Sequence, residues 1–235
     1  MMVPRTLGIW LAIAAVASVG GVALTDASVS VVRAGWGALG ATLLVFAAGL
    51  VDDLAPAGPR GLRDHLRALG AGRVSTGIVK VVVIVAAAVV SIALQPGRSG
   101  GVRMAGVLLV AACANVWNGL DVRPGRAIKF GLVALLGLVG VDLALLPTFP
   151  GVAVGSVAVL WFDMRERAML GDGGANLLGF TIGLGFYLVL PGWGVVLAAA
   201  VAIAINAVAE TITLSRLIDA VPPLRWFDAL GRLAA

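Results

Sequence analysis

The chain has 235 residues, 60% of them hydrophobic and only 12% charged, a composition that excludes an ordinary soluble domain and leaves no room for a sizeable one beside membrane spans. A formal net charge of +5 would suit nucleic acid in a soluble protein, but in a membrane chain it reports basic loops gathered on one side. The single cysteine, Cys113, lies in an apolar run, so an internal disulfide is excluded and the redox compartment is unreadable.

Eight apolar stretches follow one another at 6–24, 31–50, 76–94, 104–117, 127–146, 152–162, 176–190 and 193–213. The fourth and sixth are short for a full crossing, which is met by tilt, by a break, or by extension through polar residues that face protein. The expected fold class is therefore all-α, a polytopic membrane bundle of about eight transmembrane helices forming one domain over 1–235. Thirty-two glycines suit close helix packing, and Gly179 and Gly183 form one small-xxx-small pair. Arg5 before the first apolar stretch resembles a signal-peptide start, but removing that stretch would not invert the rest.

The connections alternate in charge. Fourteen of the 17 basic residues fall in the N-terminus, the loops 52–80, 118–129 and 163–172, and the tail. Only Arg33, Arg98 and Arg103 fall on the other side, so the first set is expected to be cytoplasmic, with both termini inside. The expected location is a bacterial plasma membrane. The cytoplasmic loop 54–73 contains Pro56 and Pro59. It then places Leu62, Leu66 and Leu69 at helical spacing, with Arg63 and Arg67 on another face, which predicts a short amphipathic helix on the membrane surface. His65, the one histidine, reads as a polar residue of that helix. The tail 214–235 is also cytoplasmic.

On that same side the ends of four spans carry carboxylates. Asp52 and Asp53 end the second, Asp121 follows Asn115 and Asn118 at the end of the fourth, Asp172 opens the seventh, and Glu210 ends the eighth one turn after Asn206. Asn115, Asn118 and Asp121 step by three and are expected on one helix face. Taken alone, Asp172 reads as a helix N-cap, Asp52-Asp53 as a hydrophilic stop, and Lys80 as a snorkelling lysine. Together, on one membrane side with Lys80, Arg123, Arg126 and Lys129, they suit a different reading. Carboxylates hold a hard divalent cation that bridges phosphate oxygens, basic groups neutralise phosphate, and phosphoryl transfer needs little more than positioning and charge stabilisation.

Three of these stretches resemble motifs of a known family. Gly49-Leu-Val-Asp-Asp-Leu54, Asn115-Val-Trp-Asn-Gly-Leu-Asp121 and Met169-Leu-Gly-Asp-Gly-Gly-Ala-Asn-Leu-Leu-Gly179 resemble, in order, those of the polyprenyl-phosphate N-acetylhexosamine-1-phosphate transferases of cell-wall biogenesis. The resemblance covers nearly the whole chain, which looks like a ten-span member without its first and last helices. It implies that Asp172 binds Mg²⁺, with Asp53 or Asp52 beside it, and that Asp52 and Asp53 handle the lipid phosphate. It assigns substrate binding to Lys80, Asn115, Asn118, Asp121 and Glu210, with Asp52, Asp53 and Asp172 as the catalytic set; Arg123, Arg126 and Lys129 are expected, from their charge, to bind the donor phosphates. The implied reaction is Mg²⁺-dependent transfer of a sugar 1-phosphate from a nucleoside diphosphate sugar to a polyprenyl phosphate. Direct attack and an aspartyl-phosphate route both fit these residues. The partners are then the membrane, the two substrates and, as an assembly open to this chain, a homodimer; nucleic acid is not among them.

The chain also departs from the family pattern. Pro124 stands where the second aspartate of the long motif belongs, Ala175 replaces a serine, and Asp163 lies near the usual asparagine. The histidine-rich C-terminal motif is replaced by Pro222-Pro-Leu-Arg-Trp226. The metal and phosphate half of the site is kept and the donor half is rewritten, which predicts a donor smaller than the muramoyl-pentapeptide nucleotide. The rewritten half also supports an alternative reading: a non-enzymatic relative that binds polyprenyl phosphate or a sugar nucleotide as a partner of a polymer-assembly machine.

Overall fold

The computed structural model describes residues 4–24, 29–55, 61–95, 97–138 and 146–232. The backbone of the described residues is helical, with no strand among them. In chain order the helices are α1 (Leu7–Ala23), α2 (Val29–Leu54), α3 (Gly61–Gly70), α4 (Thr76–Ala93), α5 (Gly100–Leu120), α6 (Arg126–Leu136), α7 (Phe149–Met164), α8 (Gly171–Val189), α9 (Gly192–Ala209), α10 (Leu214–Ala220) and α11 (Pro222–Ala229).

Each apolar stretch has a helix in its described part, though residues 139–145 of the fifth lie outside the described residues. Four of these helical stretches, in α2, α4, α5 and α9, are long and apolar enough to cross a membrane, while α1 and α7 are shorter apolar helices. Valines and leucines that a soluble protein would bury stand exposed along α4 and α9, among them Val82, Val89, Leu197 and Val201. Together these features make the chain a membrane protein. The fourth stretch is longer than its apolar run: α5 continues through Asn115 and Asn118, extending the helix by polar residues. A helix, α3, forms within loop 54–73, with the side chains of Leu62, Arg63, His65 and Leu66 outside the described residues.

The axis of the fold is α8. Fifteen of its nineteen residues are buried, and α1, α2, α4, α5, α6, α7 and α9 all touch it. A helix walled by protein need not be strongly hydrophobic, which is why this one can carry six glycines along its length and, in its first two turns, Asp172 and Asn176. Small residues set its packing, because helix association in lipid depends on close backbone approach. A Cβ on Gly179 would lie 2.5 Å from the Cys113 carbonyl oxygen, and one on Gly183 would lie 2.8 Å from Val110 Cα, so this glycine pair seats α5. At the end opposite Asp172, arginines cap helix C-termini. Arg98 donates to the carbonyls of Leu188 and Leu190 and stacks on Tyr187, and Arg103 donates to those of Ile92, Ala93 and Gln95.

Candidate functional site

Glycines at the start of α8 build the site. A Cβ on Gly49 of α2 would meet Gly173 N and Cα at 2.6 Å, and one on Gly8 of α1 would meet Gly174 N at 2.6 Å. The two helices therefore reach the α8 backbone directly. Asp53 lies one turn beyond Gly49, and its Oδ2 accepts the Gly173 amide at 3.2 Å. A carboxylate at a helix N-terminus is favoured both as a cap and by the helix dipole. Its Oδ1 accepts from Arg5 Nη1 at 2.8 Å, and its side chain is 4% exposed.

Because Asp53 caps α8 from a neighbouring helix, Asp172 is left to do something else. Asp172 Oδ2 accepts from Lys80 Nζ at 2.7 Å, and the same nitrogen donates to Asp52 Oδ2 at 2.6 Å. The two carboxylate oxygens therefore lie no more than the sum, 5.3 Å, apart. Thr76 Oγ1 donates to the other Asp52 oxygen at 2.5 Å. The side chains of Asp52 and Asp172 are 21% and 30% exposed, so these two are open to a ligand while Asp53 is closed. Of the two aspartates expected beside Asp172, Asp52 is the one joined to it through Lys80. Adjacent helix residues point about 100° apart, and here Asp53 turns to Arg5 and the Gly173 amide while Asp52 turns to Lys80.

Asp121 caps the end of α5 in this same neighbourhood. Its Oδ1 is sealed from solvent and has no hydrogen-bond partner among the described residues, and the same holds for Asn118 Oδ1. Burial, then the charge of Asp163, push the Asp121 carboxyl up to about 7; Asp172 and Asp53 add to this and the Gly171 amide opposes it. Asn115 departs from the expectation of a shared face. Its Nδ2 donates to Asn206 Oδ1 at 2.5 Å, so it links α5 to α9, and Asn206 also donates to the Ala112 carbonyl. Each step of three residues falls about 60° short of a full helical turn, so Asn115 and Asp121 diverge by about 120°. Glu210, one turn after Asn206, caps α9 as an exposed residue.

The expected donor-phosphate cations have another place. Arg126 is fully buried and grips Asp228 with Nε to Oδ1 at 2.9 Å and Nη2 to Oδ2 at 2.8 Å, and its Nη1 donates to Ser215 Oγ. Arg123 holds both oxygens of Asp219 at 2.9 Å. Lys129 donates to the carbonyls of Phe227, Asp228 and Leu230, capping α11. Arg232 closes on Asp228 from the following turn. Burial works against the charge on Asp228, but Arg126, then Arg232 and Lys129, outweigh it and hold the carboxyl below its ordinary range. Asp163, buried at the end of α7, accepts the amide of Gly125, a glycine in the left-handed region at φ 71°, and so pins the turn before α6. Arg126 and Lys129 thus fasten α11 to the start of α6 from buried positions, and Arg123, its side chain 36% exposed, is paired with Asp219 of α10. Their partners Asp219 and Asp228 were not singled out in the sequence; the only local signal was the Asp228–Arg232 spacing of four.

The residues fit a hard divalent ion in one way. Among the described residues no three of His, Cys, Asp or Glu gather closely enough to hold a metal, so an all-protein cage does not form. Mg²⁺ commonly uses one or two carboxylates and completes its shell with water and substrate phosphates. Asp52 and Asp172 could supply two, with the Lys80 ammonium, which fills the space between them in this structure, giving way to such an ion. Comparison with known protein families, curated proteins and solved structures returned no match.

Proposed function

We propose that the chain transfers a sugar 1-phosphate from a nucleoside diphosphate sugar to a polyprenyl phosphate, at the membrane end where α8 begins. The observation that carries this reading is Lys80 bridging Asp52 and Asp172 beside a helix N-terminus. We read the eight apolar helices as eight spans with both termini on the cytoplasmic side. That reading rests on the division of basic residues, sharpened by two of the three outer arginines being helix caps.

In this reading a lipid phosphate oxygen attacks the sugar-bearing phosphorus of the donor. A new phosphorus–oxygen bond forms there, the bond to the nucleotide phosphate breaks, and nucleoside monophosphate leaves with the electron pair. Asp52 orients the attacking phosphate and takes its remaining proton, being exposed where Asp53 is not. Lys80 uses two of its three donors among the described residues, and the third serves a phosphate oxygen. The dipole of α8, whose first turn faces this side, adds partial positive charge. The chemistry that a bound Mg²⁺ supplies is neutralisation of the diphosphate charge, and Asp172 with Asp52 would hold it.

One observation favours the second reading, a non-enzymatic binder of polyprenyl phosphate or sugar nucleotide. The three cations assigned to donor phosphates are engaged by the tail. The experiment that separates the two is purified protein in detergent with polyprenyl phosphate, Mg²⁺ and a panel of nucleotide sugars. Release of nucleoside monophosphate supports the transferase; binding of polyprenyl phosphate with every nucleotide sugar inert supports the binder.

A further inference from the structure

We propose that the turn between α7 and α8 binds the phosphate of an anionic phospholipid, held by Arg165 and Arg167 over Trp161. Both guanidinium groups stack on one indole, with Cζ of Arg167 4.7 Å and Cζ of Arg165 5.5 Å from its centroid. The backbone brings them there. Arg165 ends α7, and Glu166 lies in the left-handed region at φ 55°, which few residues other than glycine adopt. The chain then folds back so that the Arg167 amide donates to the Phe162 carbonyl at 3.1 Å. The strained residue is what returns the second arginine to the ring that the first one covers.

What sets these two cations apart is that they share one ring, while several cations at this end of the molecule are held by carboxylates. Arg5, Lys80, Arg123, Arg126 and Arg232 each have a carboxylate partner. Arg165 and Arg167 make no ion pair among the described residues, and neither does Glu166 between them. Two exposed like charges on one ring are stabilised by an anion that both can reach, and guanidinium groups present paired N–H donors that match phosphate oxygens.

The apolar surface beneath them identifies the anion as a lipid. Val154, Val157 and Trp161, spaced by three and four residues, form one face of α7 and are 69%, 62% and 44% exposed. This stripe runs for about 10 Å and ends under the guanidinium groups. Phe162 packs edge-on against Trp161 and is also exposed. A ligand that fills both parts is an amphiphile, with acyl chains along the valines and a phosphate on the arginines. Free phosphate would leave the stripe uncovered, and a zwitterionic headgroup brings a cation of its own.

The test is native mass spectrometry of the full chain released from mixed micelles, counting retained phosphatidylglycerol against phosphatidylcholine. The wild type is expected to prefer phosphatidylglycerol, with the preference falling about fivefold for each arginine removed. The Arg165→Gln/Arg167→Gln double variant should retain the two lipids equally. Arg165→Lys/Arg167→Lys should fall between, because it keeps the charge and loses the paired donors and the stacking. Both positions are exposed, and thermal unfolding of each variant checks the fold. Unchanged phosphatidylglycerol retention in the Gln double variant would overturn the proposal. So would displacement of the lipid by millimolar inorganic phosphate, which would make this a site for free anions. Neither readout depends on transferase activity.

Discussion

Asp53 caps a helix to which it does not belong: its carboxylate on α2 accepts the Gly173 amide of α8 at 3.2 Å. The consequence falls on Asp172. Position alone made that residue a plausible cap for its own helix, and with the cap supplied from α2 its carboxylate turns to Lys80 instead. The same contact fixes Asp52, the next residue back, within reach of the same lysine.

This arrangement depends on two glycines touching. A Cβ on Gly49 would strike the Gly173 backbone at 2.6 Å, whereas one on Gly40, on the same helix, would meet nothing within 4 Å. Gly49→Ala is expected to cost about 1–3 kcal/mol of stability by forcing α2 from α8. Gly40→Ala should be close to neutral. Thermal unfolding of both variants in detergent measures the contrast, and equal effects would contradict it.

Lys80 holds two carboxylates apart by standing between them. Lys80→Gln removes that cation and leaves the carboxylates to repel one another. The variant should therefore be less stable than the wild type without divalent ions and should recover more on adding Mg²⁺, since binding to the native state stabilises it in proportion to ligand over dissociation constant. The thermal shift with Mg²⁺ checks this; a shift no larger than the wild type's would show that the ion does not use this pair.

The tail is fastened by a buried ion pair. Asp228→Asn leaves Arg126 buried without its counter-charge and weakens the hold of Arg123 and Arg232. The expected cost is about 3–5 kcal/mol. Replacing both partners, Arg126→Met with Asp228→Leu, should cost clearly less than the single change, because no charge is then stranded. Unfolding measurements on the three proteins give the comparison.

Asp121 should make stability depend on pH. Its carboxyl is raised from 3.8 to about 7, chiefly by burial, so the native state keeps a proton that the unfolded chain releases. The favourable contribution is full below about pH 4 and is lost as pH rises through about 7. Without Mg²⁺, the wild type should lose about 2–4 kcal/mol more than Asp121→Asn between pH 4.5 and 8. Parallel pH profiles for the two proteins would contradict it.

Helix positions were readable because apolar runs of span length have few other uses, and the fourth stretch proved longer at both ends, from Gly100 and on past Asn118. The central place of α8 was less readable, since its glycines lower its hydrophobicity for the very reason that it is enclosed. In the site, the sequence brought Asp52, Asp172 and Lys80 to one membrane side, but which of two adjacent aspartates faces the lysine is a matter of helix rotation. Charge alone could not tell a phosphate site from an ion-pair lock: Arg126 meets Asp228 across 102 residues of chain, and nothing local marks that pairing. Asn115 was misplaced for a geometric reason, the accumulated rotation of three-residue steps.

The central claim is the transfer of a sugar-bearing phosphorus to a lipid. The most direct measurement uses a nucleoside diphosphate sugar labelled with ³²P at the phosphorus that carries the sugar, together with polyprenyl phosphate and Mg²⁺. The account predicts that the label enters the lipid, with one unlabelled nucleoside monophosphate released per labelled lipid, and that Asp172→Asn abolishes both. No transfer of label from any nucleotide sugar, by a protein that still binds polyprenyl phosphate, would contradict it.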